Sequence, residues 1–129
     1  MIGMFCRCES LITLSLPSAS FGTYLRTISG NIDDIYISST NVGLFDRCFA
    51  LTVINNLSSL VTPLITDFTA TFNNCYNLTS IDIHNFIVPN GATVTNMLNL
   101  GVNNNRGVVT IILPQTIDTN ITAFADNKT

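Results

Sequence analysis

Apolar residues in this chain arrive in twos and threes between Asn, Thr and Ser, and their order recurs. Met4-Phe5-Cys6-Arg7-Cys8-Glu9-Ser10-Leu11-Ile12-Thr13-Leu14-Ser15-Leu16 is echoed by Leu44-Phe45-Asp46-Arg47-Cys48-Phe49-Ala50-Leu51-Thr52-Val53-Ile54. A second echo is Thr71-Phe72-Asn73-Asn74-Cys75-Tyr76-Asn77-Leu78-Thr79-Ser80-Ile81-Asp82-Ile83. The shared pattern is apolar-Phe-x-x-Cys-x-x-Leu-x-x-(Leu/Ile), with another apolar residue two or three places on. Its last apolar positions alternate with polar ones, the period of a strand that buries one face. Strands are expected at 11–16, 32–37, 51–55, 78–83 and 108–113. The Phe-x-x-Cys segments predict tight turns or single helical turns at a corner, because no sustained i, i+3, i+4, i+7 run supports a long helix. Residues 57–70 and 84–96, punctuated by Pro63, Pro89 and Gly91, read as looser returns.

Two weaker copies fill the gaps. Tyr24-Leu25 opens one, with Ile28 at the Cys position and Ile32, Ile35 and Ile37 after it. Met97-Leu98 opens the other, with Gly101 at the Cys position and an Asn103-Asn104-Asn105 insertion before Val108, Ile111 and Leu113. Units therefore start near 4, 24, 44, 71 and 97, with a truncated sixth at 123, a spacing in the range of leucine-rich repeats. A unit this short cannot bury its own apolar side, but a neighbour of the same shape covers it. The expected fold is a single domain over 1–129: a mostly β, α/β-class leucine-rich-repeat solenoid. It would hold a short parallel sheet, with loops or single helical turns as returns. Leu11, Ile35, Ile54, Ile81 and Ile111 would form one interior column.

Composition narrows the function. Of 129 residues, 47% are hydrophobic and 10% charged, which argues against disorder. No apolar stretch approaches the ~20 residues of a membrane span. Arg7, Arg26, Arg47, Arg106 and Lys128 are scattered singly in a chain of net charge −3, so nucleic acid is not an expected partner. Met1-Ile2-Gly3-Met4-Phe5 does not read as a signal peptide, so an export signal would lie outside this sequence. The first repeat begins at Met4 without a preceding cap and the last stops at Ala123-Phe124. Both ends are therefore expected to be covered by further repeats or neighbouring subunits.

Several residues invite a chemical reading. Cys8, Cys48 and Cys75 share one repeat position and would suit a metal or disulfides. Ile28 and Gly101 occupy the same slot, which favours small buried residues in a ladder. Cys6-x-Cys8 alone is too little for zinc. Asp82-x-His84 places two potential ligands on one strand face. Asp34 and Asp82 offer the two carboxylates that a glycosidase needs, without other marks of a sugar-cleaving site. No phosphate loop or nucleophile elbow is present, and no cofactor or catalytic set is implied. Alternation turns Thr13 and Ser15, Asp34 and Tyr36, Val53 and Asn55, Ser80 and Asp82, and Thr110 and Ile112 outward. On this face the expected ligand-contacting residues are Asp34, Tyr36, Asn55, Asp82 and His84, suited to a protein or glycan.

Leu78-Thr79-Ser80-Ile81-Asp82-Ile83, followed by Ala92-Thr93-Val94-Thr95-Asn96-Met97-Leu98, resembles the BspA-type leucine-rich repeats of bacterial surface proteins. The resemblance spans nearly the whole chain and is closest in the units starting at 4, 44 and 71. It implies a parallel-sheet solenoid acting as an exported adhesion or host-contact module of a longer protein. Because the family pattern holds no catalytic residue, it implies a non-enzymatic scaffold. Members in phages suggest a second role, a structural subunit of a larger assembly such as a virion component.

Overall fold

The computed structural model describes residues 2–28, 30–31, 41–101 and 109–114. Its strands are β1 (Thr13–Ser15), β2 (Gly30–Asn31), β3 (Asn41–Val42), β4 (Val53–Asn55), β5 (Ser80–Asp82) and β6 (Thr110–Ile112). A 3-10 turn spans Leu57–Ser59. β1 pairs with β4 and β5 with β6, both parallel, while β2 and β3 pair antiparallel. Among the described residues, no helix is long and apolar enough to cross a membrane.

The Phe-x-x-Cys-x-x-Leu segment builds each corner as two successive tight turns. Phe45 carbonyl accepts Cys48 N–H at 3.3 Å, and Cys48 carbonyl accepts Leu51 N–H at 3.2 Å. The same bonds recur at Phe5, Cys8 and Leu11, and at Phe72, Cys75 and Leu78. Two residues after each Phe the backbone is left-handed, at Arg7, Arg47 and Asn74, with φ of 59°, 60° and 58°. That conformation costs a non-glycine residue ~1 kcal/mol or more, and three equivalent positions accept it because the corner requires it. After the corner the chain runs into a three-residue strand rich in β-branched side chains, which suit a half-buried pleated surface.

Passes of this shape lie directly on one another. Phe5 N–H donates to Leu44 carbonyl at 3.0 Å, Phe45 N–H to Thr71 carbonyl at 2.9 Å and Phe72 N–H to Met97 carbonyl at 2.9 Å. On the strand side, bonds run in both directions, as in any parallel ladder, with Leu16 N–H donating forward to Asn55 carbonyl at 3.0 Å and others running back. Thr52 N–H donates to Ile12 carbonyl at 2.8 Å, Thr79 N–H to Thr52 carbonyl at 3.1 Å and Thr110 N–H to Thr79 carbonyl at 3.2 Å. The returns also touch, through parallel bridges between Phe21 and Leu60 and between Asp67 and Thr93. The Phe5, Phe45 and Phe72 rings stack at 5.5 and 5.4 Å, with interplanar angles of 6° and 15°. Leu44, Phe45, Cys48, Leu51, Ile54, Phe72, Cys75, Leu78 and Ile81 form the buried centre with residues of the returns.

Two expectations need correction. The strand expected at 32–37 was to lie between 11–16 and 51–55, yet β1 is hydrogen-bonded directly to β4, with Leu14 opposite Ile54. The segment beginning at Tyr24 lacks the Phe and Cys of the corner, Tyr24 is exposed, and Phe5 stacks on Phe45 instead. Residues 32–37 themselves lie outside those described; Gly30–Asn31 and Asn41–Val42 on either side of them form an antiparallel pair. The interior column also has a different first member. Leu14 is opposite Ile54 and Ile81 opposite Ile111, while Leu11 closes the corner turn as Leu51 and Leu78 do. Ile35 falls outside the described residues.

Close stacking makes specific demands. A Cβ on Gly43 would sit 2.0 Å from Ala70 carbonyl oxygen and 2.4 Å from Thr71 nitrogen, both backbone atoms of the next pass. Gly43→Ala should therefore lower unfolding free energy by about 3 kcal/mol or more, read by urea denaturation. Phe45, with a ring on each side, is the centre of the aromatic stack. Phe45→Ala should cost about 3–5 kcal/mol in the same measurement.

Candidate functional site

The strands place one row of side chains on the outer face. Thr13, Ser15, Asn55, Ser80, Thr110 and Ile112 are exposed, and Val53 and Asp82 half-buried, while the intervening Ile54 and Ile81 are buried. β5 ends at Asp82. The chain then buries Ile83 and returns His84 to the side of Asp82. His84 Nδ1 lies 2.6 Å from Asp82 Oδ1, and the same oxygen accepts His84 backbone N–H at 3.3 Å. A carboxylate at that distance assigns the proton to Nδ1, which leaves Nε2 as an acceptor when the ring is neutral. One pass back, Asn55 Nδ2 donates to Ser15 Oγ at 3.1 Å.

Asn55, Asp82 and His84 thus share the outer face, as expected, but part of their polarity is already used within the protein. Asn55 Oδ1, Asp82 Oδ2 and His84 Nε2 have no protein partner among the described residues, and they offer acceptors to solvent or a ligand. Asp34 and Tyr36 lie outside the described residues, and so does any pairing of Asp34 with Asp82. Among the described residues, no third His, Cys, Asp or Glu joins Asp82 and His84 as a metal-holding group.

The cysteines sit in the ladder. All four are thiols, with Cys48 and Cys75 buried and Cys6 and Cys8 half-buried. Cys48 Sγ lies 2.9 Å from Phe5 carbonyl oxygen and Cys75 Sγ 3.0 Å from Phe45 carbonyl oxygen, so each thiol donates to the pass before it. Burial pushes the Cys48 thiol up from 9.0 to about 12, against a backbone hydrogen bond at Cys8 that lowers it, while the nearby charges of Cys8, Cys6 and Asp46 raise it. Burial likewise raises Cys6. A thiol held neutral is a poor nucleophile, so Cys48 is a packing and hydrogen-bonding group.

The residues that sequence reasoning missed are the asparagines. Asn56 Nδ2 donates to Leu16 carbonyl at 2.9 Å, Asn73 Nδ2 to Asp46 Oδ1 at 2.9 Å, Asn77 Nδ2 to Phe49 carbonyl at 2.7 Å and Asn85 Nδ2 to Ser58 carbonyl at 2.8 Å. Each ties one pass to the previous one. They stand at different distances after the corner Phe, so no repeated spacing marks them. Asp46 is buried, and desolvation raises its carboxyl above 3.8, against the Asn73 hydrogen bond and the Arg47 and Arg7 charges. A side view of the corner adds a second aromatic pair, Phe49 on Tyr76 at 5.0 Å and 5°. Gly101 fits there because a Cβ would meet Tyr76 Cε1 at 2.1 Å.

The chain matches no protein-family model, no curated protein and no solved structure. Its site is therefore read from its own geometry.

Titration supplies a check on the two buried acids. A raised acid pKa means that the folded state keeps a proton which the unfolded chain has lost, so stability falls as pH rises between the two values. For Cys48 that window opens at 9.0 and closes at about 12. For Asp46 it opens at 3.8. Urea midpoints should fall above pH 9 in the wild type, with a shallower fall in Cys48→Ala. Asp46→Asn should gain stability relative to wild type on going from acid to neutral pH.

Proposed function

We propose that this chain is a leucine-rich-repeat-type solenoid of the BspA kind that serves as a non-enzymatic binding or adhesion module. Its outer strand face would contact a protein or glycan. The observation that carries the reading is the superposition of equivalent residues in successive passes. It turns Leu14, Ile54, Ile81 and Ile111 inward and leaves hydroxyls, an amide and a carboxylate aligned on the other side. Such a face offers many weak, directional hydrogen-bond partners over a rigid support, the arrangement that suits recognition of a large polar surface. The family resemblance supports a cell-surface or secreted setting within a longer protein, and the scattered charges support a partner other than nucleic acid.

A second reading is a structural subunit of a larger assembly such as a virion component. It is favoured by the exposure of Ile2, Met4 and Ile12 on the first pass, which a neighbouring subunit would cover.

A printed glycan array and a panel of immobilised extracellular-matrix proteins test the binding reading. Binding to one class should weaken about tenfold, or 1.4 kcal/mol, in Asp82→Ala and His84→Ala. Asn90→Ala, an exposed change in a return, should leave it unaltered. Silence on both panels, or binding indifferent to Asp82 and His84, would overturn the reading.

A further inference from the structure

The return after β5 carries the one Asn-Gly pair of the chain, Asn90-Gly91. Pro89 carbonyl accepts Ala92 N–H at 3.1 Å, which closes a four-residue turn with Asn90 and Gly91 at its centre. Gly91 has a φ of 78°, the left-handed value that the third residue of a type II turn requires and that glycine adopts without steric cost. Both residues are exposed, and a Cβ built on Gly91 would meet nothing within 4 Å. Among the described residues, neither the Gly91 N–H nor the Asn90 amide makes a hydrogen bond. Asn55, Asn56, Asn73, Asn77 and Asn85 are held differently. Each donates Nδ2 to a neighbouring pass, and each is followed by a residue larger than glycine.

We propose that Asn90-Gly91 is a self-modification site, where the Asn90 amide is lost through a cyclic succinimide and water leaves an aspartyl or isoaspartyl residue. In the first step the Gly91 backbone nitrogen gives its proton to solvent and bonds to Asn90 Cγ. The Cγ–Nδ2 bond breaks, and Nδ2 departs as ammonia. Water then adds to one of the two imide carbonyls. Opening at Cγ restores the ordinary backbone with a new side-chain carboxylate. Opening at the Asn90 backbone carbonyl leaves that group as the carboxylate and carries the chain on through Cγ, one methylene longer. Nothing is oxidised or reduced, and water is the only reagent. The local structure favours this route at three points. A side chain after the asparagine would crowd the attacking nitrogen, and Gly91 has none. Ring closure rotates the Asn90 backbone out of the turn, and an exposed turn held by the Ala92–Pro89 bond opens more readily than the ladder of the passes. The Asn90 amide breaks no cross-link to reach the nitrogen. Either product lowers the formal charge of −3 by one unit. The inference rests on the return alone and stands whether or not the outer face binds a ligand.

Incubation of the folded full chain for weeks at mildly alkaline pH tests it, read by isoelectric focusing and by peptide fragmentation that separates aspartyl from isoaspartyl. A more acidic species is expected, with a mixture of both products at position 90 ahead of every other asparagine, and forming faster as pH rises. Gly91→Ala should slow its formation about tenfold or more. Because the positive φ strains alanine there, Asn90→Ala supplies a second arm: it changes an exposed side chain and should abolish the early acidic species. An intact Asn90, earlier reaction at another asparagine, an aspartyl product alone, or the same acidic species in Asn90→Ala would overturn the proposal.

Discussion

The structure depends on one requirement: each pass of the chain uses its neighbour both as hydrogen-bond partner and as wall. A residue is therefore constrained less by what surrounds it in its own pass than by its equivalents above and below. Phe45 needs Phe5 and Phe72 at the same place, because flat rings stack closely only when the supporting backbones superimpose. Gly43 needs no side chain because the backbone of Ala70 occupies that space. Backbone bonds join successive passes at both the corner and the strand, so a sliding movement of one pass over the next breaks both sets together.

The polar residues obey the same requirement. With so few charges, this chain gains little from ion pairs; Arg47 and Asp46 approach only to 3.9 Å. Neutral amides, hydroxyls and thiols do the joining, most of them donating to a carbonyl of the preceding pass. Neutral donors suit this position, since they satisfy half-buried carbonyls without the desolvation penalty that a charge carries. Asp46 marks the contrast: its carboxylate is buried, and only an amide hydrogen bond and flanking guanidinium groups offset the cost.

Much of this was legible in the residues. The spacing from Phe to Cys to Leu located the corners at 5, 45 and 72, because apolar residues at intervals of three share one side of a tight or single helical turn; the spacing does not choose between the two. Period-two alternation located β4, β5 and β6 to within a few residues, although each strand proved shorter than its alternating segment. The copy beginning at Tyr24 misled, since apolar spacing alone matched while the ring and the small buried residue that fix a pass were missing. Of the outer-face residues, Asn55, Asp82 and His84 were legible from alternation. Their mutual bonding was not, because alternation assigns a side without fixing distances. The asparagine cross-links were hidden by abundance: in a chain so rich in Asn, no single one stands out.

The pairing of β1 with β4 also shapes how the chain assembles. Thr13 and Val53 are neighbours in space at a separation of 40 residues, whereas the next strand row joins Thr52 to Thr79 across 27. Closing the longer loop costs more chain entropy, and among the described residues the first pass has a neighbour on one side to repay it. Its Phe5, Leu11, Leu14 and Leu16 are accordingly only half-buried. The first pass is thus the natural site of fraying, docking late on a nucleus formed around Phe45 and Phe72 and exchanging its amide hydrogens sooner than the centre does.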